Sequence, residues 1–308
     1  MYEDHFDKAV NITRSILRLI GVWPLPVSAS IVARIAHRIH NIFVYFLLVI
    51  AVVPPILYIL LKERNIATRL KSMGPIMNPF MHLIKYSLLL YRAEDIRRSM
   101  STLNEDWLKS TEENREIFRS KAQIARKLVL VSITFMYGAG LCYRTALPLV
   151  KGKIVTPENV TIRPLPCPSY FIVFNEQVTP FYEILFTLQW LSGFATYSIT
   201  ICICGISATL ALHVCSQLRI LVNKLEDLVV GDFDEQSVQR RLVAIVEHQT
   251  KAKKFLNCVQ STTEYISFFE ILSCSASYSS TIFARDPHKF NVFDQLLIVI
   301  QFLATLLL

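Results

Sequence analysis

The sequence has few charged residues, which make up 18% of its 308 positions. A soluble domain usually carries about a quarter charged residues. Hydrophobic residues reach 53%, and the charges lie in blocks between long apolar runs. This pattern argues against a soluble protein and indicates one that crosses a lipid bilayer.

Catalytic and metal-binding motifs are also missing. The sequence contains no Walker loop, no GxSxG elbow and no HExxH motif. His37 and His40 form an HxxH pair, but no glutamate or further ligand accompanies them. A polar membrane boundary therefore explains the pair better than a metal. We expect no enzyme activity, no metal site and no cofactor.

The net charge of +8 does not require a nucleic-acid partner. No zinc-finger spacing, RNP motif or basic helix accompanies it, and basic loops beside membrane spans account for it. A cleavable secretory signal is lacking too, since three of the first seven residues are acidic. We expect the first span to act as an uncleaved targeting signal.

Six apolar stretches are candidate membrane spans, because a helix needs about 20 mainly apolar residues to cross ~30 Å of hydrocarbon. They cover residues 39–61, 72–90, 128–147, 181–214, 255–284 and 290–308. Pro54 and Pro55 predict a kink in the first span. The fourth span is long enough to project beyond the membrane. The sixth is still apolar at Leu308, and from this we expect an incomplete chain.

Lys and Arg are distributed unevenly between alternate connections. Twenty-one of them fall in residues 1–38, 91–127 and 216–254, against ten in 62–71, 144–163 and 285–289. The positive-inside rule then places the N-terminus in the cytoplasm.

The predicted outer connections carry three features. Asn159 lies in an N-x-T sequon and is a candidate glycosylation site. Cys142 and Cys167 both fall near the outer face, and a disulfide between them is one alternative to two free thiols. Residues 148–180 contain six prolines and predict an irregular, lid-like loop.

Amphipathic helices are expected in the cytoplasmic connections, where apolar residues repeat every three or four positions. The stripes comprise Ile96, Met100, Leu103 and Trp107; Ile117, Ile124 and Leu128; Leu218, Leu221, Val222, Leu225, Leu228 and Val229; and Val238, Leu242, Ile245 and Val246. We expect these helices to extend the spans and to pack together. Adsorption to the inner membrane surface is the alternative.

Charged side chains inside predicted spans are functional candidates, because a charge in hydrocarbon is costly without a partner. They are Lys85, Glu183, Glu264, Glu270 and Asp294. Their spacing is irregular and does not indicate a proton relay.

Three segments resemble insect odorant receptors, especially the expanded hymenopteran subfamilies. Residues 6–25, FDKAVNITRSILRLIGVWPL, are similar to the N-terminal signature of that family, in which a helix ends in a Leu-x-x-Gly-x-Trp-Pro-like turn. HVCSQLRILVNKLEDL, residues 213–228, resembles the stretch after the fourth span. HQTKAKKFLNCVQSTTEYISFFEILS, residues 248–273, resembles the lead into the fifth.

The resemblance implies an all-α membrane bundle of seven spans, with the N-terminus inside and helical cytoplasmic extensions. Residues 1–308 would form one domain that stops in the sixth span and lacks the pore-lining seventh. It implies a ligand-gated cation channel in the plasma membrane of olfactory sensory neurons. The implied partners are a volatile odorant and a shared odorant co-receptor in a heterotetramer.

The resemblance also implies an odorant pocket in the outer half of the bundle. Apolar and aromatic residues at the matching depth are Met77, Phe80, Met81, Phe135, Met136, Tyr137, Phe181, Tyr182 and Trp190. Such walls suit a small volatile molecule. Ordinary helix packing is the alternative explanation for each of them.

Two other classes remain open. A gustatory receptor of the same superfamily shares the topology, but the Gly-x-Trp-Pro turn argues against it. A multi-pass transporter would carry duplicated halves with broken helices, and the sequence has no visible repeat.

Overall fold

The fold is a bundle of long helices. A computed structural model describes residues 3–26, 28–64, 66–152, 154–155, 161–172, 175–230 and 234–283. Its helices are α1 (Glu3–Leu19), α2 (Ile31–Leu61), α3 (Ile66–Tyr91), α4 (Ala93–Lys109), α5 (Glu112–Ile133), α6 (Cys142–Lys151), α7 (Phe181–Val230) and α8 (Glu235–Phe283). The predicted all-α class is confirmed.

The described part of the chain also contains a short π-helical segment and a pair of short strands. A π-helical segment, Thr134–Leu141, joins α5 to α6 without a break. Strand β1 (Ile154–Val155) pairs antiparallel with β2 (Thr161–Ile162), with Ile154 opposite Ile162. These strands lie inside the segment for which the prolines predict an irregular loop.

In the described part of the chain, three helices are long and apolar enough to cross a membrane: Ile31–Leu61, the continuous helix Glu112–Ala146 that includes the π-helical segment, and Phe181–Val230. Helix α3 contains the predicted second span, and α8, which begins at Glu235, covers residues 255–283 of the predicted fifth; neither is among these three helices. The predicted sixth span, residues 290–308, and Asp294 lie outside the described residues.

Helix α7 is the central helix of the bundle. Every residue from Ser198 to Leu210 is buried, and α7 packs against α1, α2, α3, α4, α5 and α8. A helix that is apolar around its whole circumference belongs inside a bundle.

The turn after α1 fixes this helix on α2. Gly21 has a φ of +69°, in the left-handed region that glycine enters without strain. A Cβ at this position would lie 2.1 Å from Oδ1 of Asn41. The His40 ring lies 3.0 Å from the Leu19 carbonyl oxygen, and the Arg14 guanidinium lies 5.2 Å from the Trp23 ring centre.

The two ends of the bundle are distinct. We call the end that carries residues 163–180 the loop end, and the end that carries α4 and the junction of α7 with α8 the far end. The α4 stripe of Ile96, Met100, Leu103 and Trp107 is buried there, as predicted.

The other far-end stripes are only partly right. On α5 the buried positions are Phe118, Ala125 and Val129, whereas Ile124 is 41% exposed. The stripes on α7 and α8 leave most of their apolar side chains on the surface of this chain: Leu218, Val222, Leu225, Val229, Val238, Leu242 and Val246 are exposed. Within one chain these faces have not packed together: no residue from 221 to 230 is buried, and of residues 235–250 only Ile245 is.

Candidate functional site

The predicted pocket residues lie on α3, the π-helical segment and α7. Tyr137 is the residue that joins two of these elements. Its ring stacks on Phe194 with the ring centres 4.9 Å apart, and its hydroxyl lies 2.8 Å from Oγ of Ser198. The aromatic contact and the hydrogen bond together fix the π-helical segment against α7.

The π-helical segment requires a small residue at Gly140. A Cβ on Gly140 would lie 2.5 Å from Cζ of Tyr197, whereas one on Gly138 would meet nothing within 4 Å. The Tyr197 hydroxyl donates to the Gly140 carbonyl oxygen at 3.3 Å. Segments of π-helix often mark functional sites, and here the segment carries three predicted pocket residues.

Polar contacts link α6 to α7 above this point. The indole N–H of Trp190 donates to Oγ1 of Thr145 at 3.2 Å. Arg144 donates to the Gln189 carbonyl oxygen at 2.9 Å and lies against Gly193, where a Cβ would be 2.6 Å from its Cδ. These contacts align α6 along the loop-end half of α7.

Gln189 binds the irregular loop to α7. Its side-chain oxygen accepts from the backbone N–H of Cys167 at 3.0 Å. Its amide nitrogen donates to the Cys167 carbonyl oxygen at 3.0 Å and to Oγ of Ser169 at 2.9 Å. Gln189 is 1% exposed and Ser169 is 5% exposed. One buried amide thus holds the loop at two successive polar positions.

A second group of contacts holds the other part of the loop. Arg163 donates to Glu183 at 3.1 Å and to the Gln177 carbonyl oxygen at 2.7 Å. Its guanidinium lies 4.1 Å from the Tyr182 ring centre, and the Tyr182 hydroxyl donates to the Pro164 carbonyl oxygen at 3.0 Å. The predicted intramembrane Glu183 is therefore paired at the loop end.

The loop also reaches α2. The backbone N–H of Tyr170 donates to the Pro54 carbonyl oxygen at 3.1 Å, and the Lys62 ammonium lies 4.8 Å from the Tyr170 ring centre. The loop therefore crosses the loop end from α7 to α2 and covers it, in keeping with the lid-like segment that its prolines predict.

The remaining predicted pocket residues differ in burial. Met81 is 6% and Met136 is 4% exposed, whereas Phe80, Phe135 and Phe181 are each about 40% exposed (39%, 39% and 43%). The structure brings Met81 and Met136 into the interior and leaves the three phenylalanines on the surface of the chain. Met77 is half-buried.

His82 is an interior residue that the sequence reasoning missed. It is 4% exposed; its Nδ1 donates to the Asn78 carbonyl oxygen at 2.8 Å, and its Nε2 lies 2.8 Å from Oγ1 of Thr200. A signal was present in the sequence, since His82 precedes Lys85 by one helical turn on a predicted span. The pocket prediction included only apolar and aromatic residues at the matching depth, so the polar His82 was left out.

A small cavity lies towards the far end, away from Tyr137. It measures about 20 Å³ and is lined by residues of α1, α4, α5 and α7 that include Leu103, Phe118, Thr209, His213 and Ser216. This volume has room for about one water molecule. It is too small for a ligand of several carbon atoms.

The other predicted sites have plain outcomes. Cys142 and Cys167 are free thiols, so the disulfide alternative is not realised. Cys142 is exposed on α6, while the loop backbone at Cys167 is held by Gln189. Burial raises the pKa of the Cys167 thiol and favours its unreactive, protonated form.

Asn159 lies outside the described residues, and among the described residues no three His, Cys, Asp or Glu side chains group as a metal site.

A family model described as 7tm Odorant receptor matches residues 65–308. The chain belongs to the odorant receptor family. Its family and its apolar helices together indicate that the chain is a membrane protein of receptor type. No curated protein is significantly similar in sequence to this chain.

Solved structures of this family have the same fold. The insect olfactory receptor OR5 from Machilis hrabei superposes with a TM-score of 0.70 at 17% identity, over 98% of this chain and 78% of that one. The same receptor in complex with eugenol gives a TM-score of 0.66 at 18% identity, over 100% of this chain and 79% of that one. At this identity the likeness concerns the fold alone.

Proposed function

We propose that this chain is an odorant receptor subunit that binds a volatile molecule between α3, the π-helical segment and α7. The observation that carries the proposal is the set of contacts of Tyr137, which projects from the π-helical segment, stacks on Phe194 and hydrogen-bonds to Ser198. Met81 and Met136 supply buried apolar surface from the same elements. Tyr182 and Trp190 lie nearer the loop and close the site on that side.

The ligand that suits this site is small, mainly apolar and neutral. Burial of apolar surface would supply most of its affinity. The Tyr137 hydroxyl offers one orienting hydrogen bond, since a ligand oxygen can replace Ser198 as its partner. The related OR5 receptor has been solved with eugenol, a precedent for a small organic ligand in this fold.

The loop over the loop end would retain the ligand. Gln189, Arg163 and Tyr170 attach it to α7 and α2 through the contacts described above. Release of a ligand towards that side then requires at least one of these attachments to open.

The exposed apolar faces of α7 and α8 at the far end support assembly with other subunits. Leu218, Val222 and Leu225 on α7, and Leu242 and Val246 on α8, are exposed, and exposed apolar patches of this kind mark interaction sites. We infer that it packs in a tetramer with the odorant co-receptor, and that the assembly is a cation channel. The positive-inside bias supports a far end and an N-terminus in the cytoplasm. The family resemblance supports an olfactory sensory neuron as the cell.

Odorant-evoked calcium entry tests the proposal. The chain is expressed in cultured cells with the co-receptor, with cells that carry the co-receptor alone as the control. We expect an odorant-dependent response only when both subunits are present. A chain that reaches the surface with the co-receptor and answers no member of a broad odorant panel would contradict the proposal. Solute uptake without the co-receptor would favour a transporter.

A further inference from the structure

Lys85 on α3 and Glu270 on α8 form an ion pair in the interior of the bundle. Nζ of Lys85 lies 2.7 Å from Oε2 of Glu270, and both side chains are 0% exposed. Both residues lie within predicted membrane spans. Their burial follows from the faces that they occupy.

On α8, Glu270 shares the buried face with Ile266 and Ser273, while Phe268 and Ile271 are exposed on the opposite side. The carboxylate therefore cannot turn to water without rotation of the helix. On α3, Lys85 is as fully buried as Tyr86 and Leu89, which follow it in the helix. Each of the two charged groups is therefore compensated by the other.

Stability alone does not account for this pair. Removal of two charges from water is costly, and their attraction offsets the cost only when the remaining hydrogen-bonding capacity is also filled. Apart from the ion-pair contact, Nζ of Lys85 and both carboxylate oxygens of Glu270 have no hydrogen-bond partner in the described part of the chain. Two apolar side chains of similar size would stabilise the bundle at least as well, but they would not fix one spacing between the two helices.

The position of the pair indicates what it does instead. Lys85 lies one turn beyond Met81 on the same side of α3. Between them, His82 joins α3 to Thr200 of α7. The helix that carries part of the candidate pocket is thus held by α7 on one side and by α8 on the other. A change in the spacing of α3 and α8 would move Met81 relative to α7.

We propose that Lys85 and Glu270 are positioning residues that form a latch between α3 and α8, and that this latch sets the odorant sensitivity of the receptor. The inference rests on the proposed function. It adds to it a regulatory contact outside the pocket walls.

Odorant-evoked calcium entry and surface biotinylation of three variants test the latch. In K85M/E270L the charges are replaced by apolar side chains of similar length. In K85E/E270K the charges are exchanged. Glu264→Gln is the matched control, because Glu264 is on α8 but exposed. At equal surface amounts, we expect the apolar pair to shift the half-maximal odorant concentration at least tenfold, and the exchanged pair and the control to stay within threefold of the wild type.

Two results would overturn the latch in a responsive receptor. One is a wild-type response of the apolar pair, which would make the charges dispensable. The other is a tenfold shift that persists in the exchanged pair, because mutual attraction would then not be the cause. If the apolar pair does not reach the surface, Glu270→Asp decides. This variant keeps the charge and shortens the side chain; a shift of at least threefold supports the latch, and an unchanged response overturns it.

A wild-type chain that answers no odorant contradicts the proposed function without deciding the ion pair. Thermal unfolding of the detergent-solubilised protein then tests the pair directly. A double-mutant cycle on Lys85→Met and Glu270→Leu isolates their interaction. Non-additive shifts in Tm support the interhelical latch, and additive shifts overturn it.

Discussion

Asp106 on α4 and His213 on α7 are hydrogen-bonded at 3.1 Å although 107 residues separate them in the chain. Gln217 donates to the same carboxylate oxygen at 2.7 Å, and Lys251 of α8 donates to the other oxygen. His213 is held in turn by a stacked Phe118 ring, whose centre lies 5.0 Å away. One buried carboxylate thus joins three helices at the far end.

Substitution of this carboxylate should change how stability depends on pH. Burial by itself raises the pKa of Asp106, but the hydrogen bonds from His213 and Lys251 outweigh it and hold the pKa below its ordinary value. Asp106 therefore contributes stability that is present above the ordinary carboxyl pKa and is lost as the pH falls through the lowered one. Asp106→Asn should reduce the free energy of unfolding at neutral pH by about 2 kcal/mol. It should also make the free energy of unfolding fall less steeply as the pH is lowered.

Tm of the solubilised protein between neutral and acidic pH is the measurement. Asp227→Asn, at an exposed position of α7, is the control and should follow the wild-type curve. Parallel curves for Asp106→Asn and the wild type would refute the role of this carboxylate.

Tyr137 should affect ligand preference more than folding. Tyr137→Phe keeps the stack on Phe194 and removes the hydrogen bond to Ser198, a change of about 1 kcal/mol. Tyr137→Ala removes both and should alter the rank order of effective odorants while surface expression changes less. Calcium responses across a broad odorant panel measure the effect. An unchanged response profile for Tyr137→Ala would count against this placement of the pocket.

Two glycines of the π-helical segment form a matched pair. Gly140→Ala should destabilise the protein by about 1–3 kcal/mol, because its Cβ would collide with the Tyr197 ring. Gly138→Ala should be neutral or slightly stabilising, since its Cβ meets nothing within 4 Å. Thermal unfolding in detergent distinguishes them. Equal Tm values for the two variants would show that the close approach at Gly140 is not maintained.

Gln189→Leu should release the loop. The variant keeps the volume of the side chain and removes all three hydrogen bonds to Cys167 and Ser169. We expect faster hydrogen exchange at residues 163–172 and faster odorant release. Gln123→Leu, on the exposed face of α5, is the control. Unchanged exchange in the loop would mean that other contacts suffice to hold it.

Glycosylation at Asn159 tests the orientation predicted from the Lys and Arg bias. If this connection is outside the cell, glycosidase treatment should increase the mobility of the wild type on a gel. Asn159→Gln should remove that shift. The sequence has a second N-x-T sequon at Asn11, on the predicted inner side, and Asn11→Gln should retain the shift. A shift that depends on Asn11 instead would reverse the orientation.

Local patterns predicted much of the fold. The start of α7 was predicted at residue 181, because a long apolar run preceded by a polar loop defines a helix by itself. Helix α2 begins eight residues before the predicted span, since Ser30 caps it by accepting from the N–H of Ala33. The π-helical segment was not predicted, because its register depends on the close contact of Gly140 with Tyr197 on another helix.

The candidate site was predicted less completely than the fold. Depth along the helices selected Met81, which is buried, and Tyr137, which is half-buried, but it also selected Phe80 and Phe135, which the structure leaves exposed. A position along a helix states how deep a side chain lies and not which way it points. Direction requires knowledge of the neighbouring helix.

The sequence alone determined the helical class, the membrane character and the family resemblance, because these depend on the length and order of apolar runs. It also identified Lys85, Glu183 and Glu270 as charges that need partners. Only the tertiary structure decided who the partners are: Lys85 with Glu270 across α3 and α8, and Glu183 with Arg163 of the loop. An ion pair forms where two parts of the chain face each other, and which parts do so is set by the packing of the whole bundle around α7.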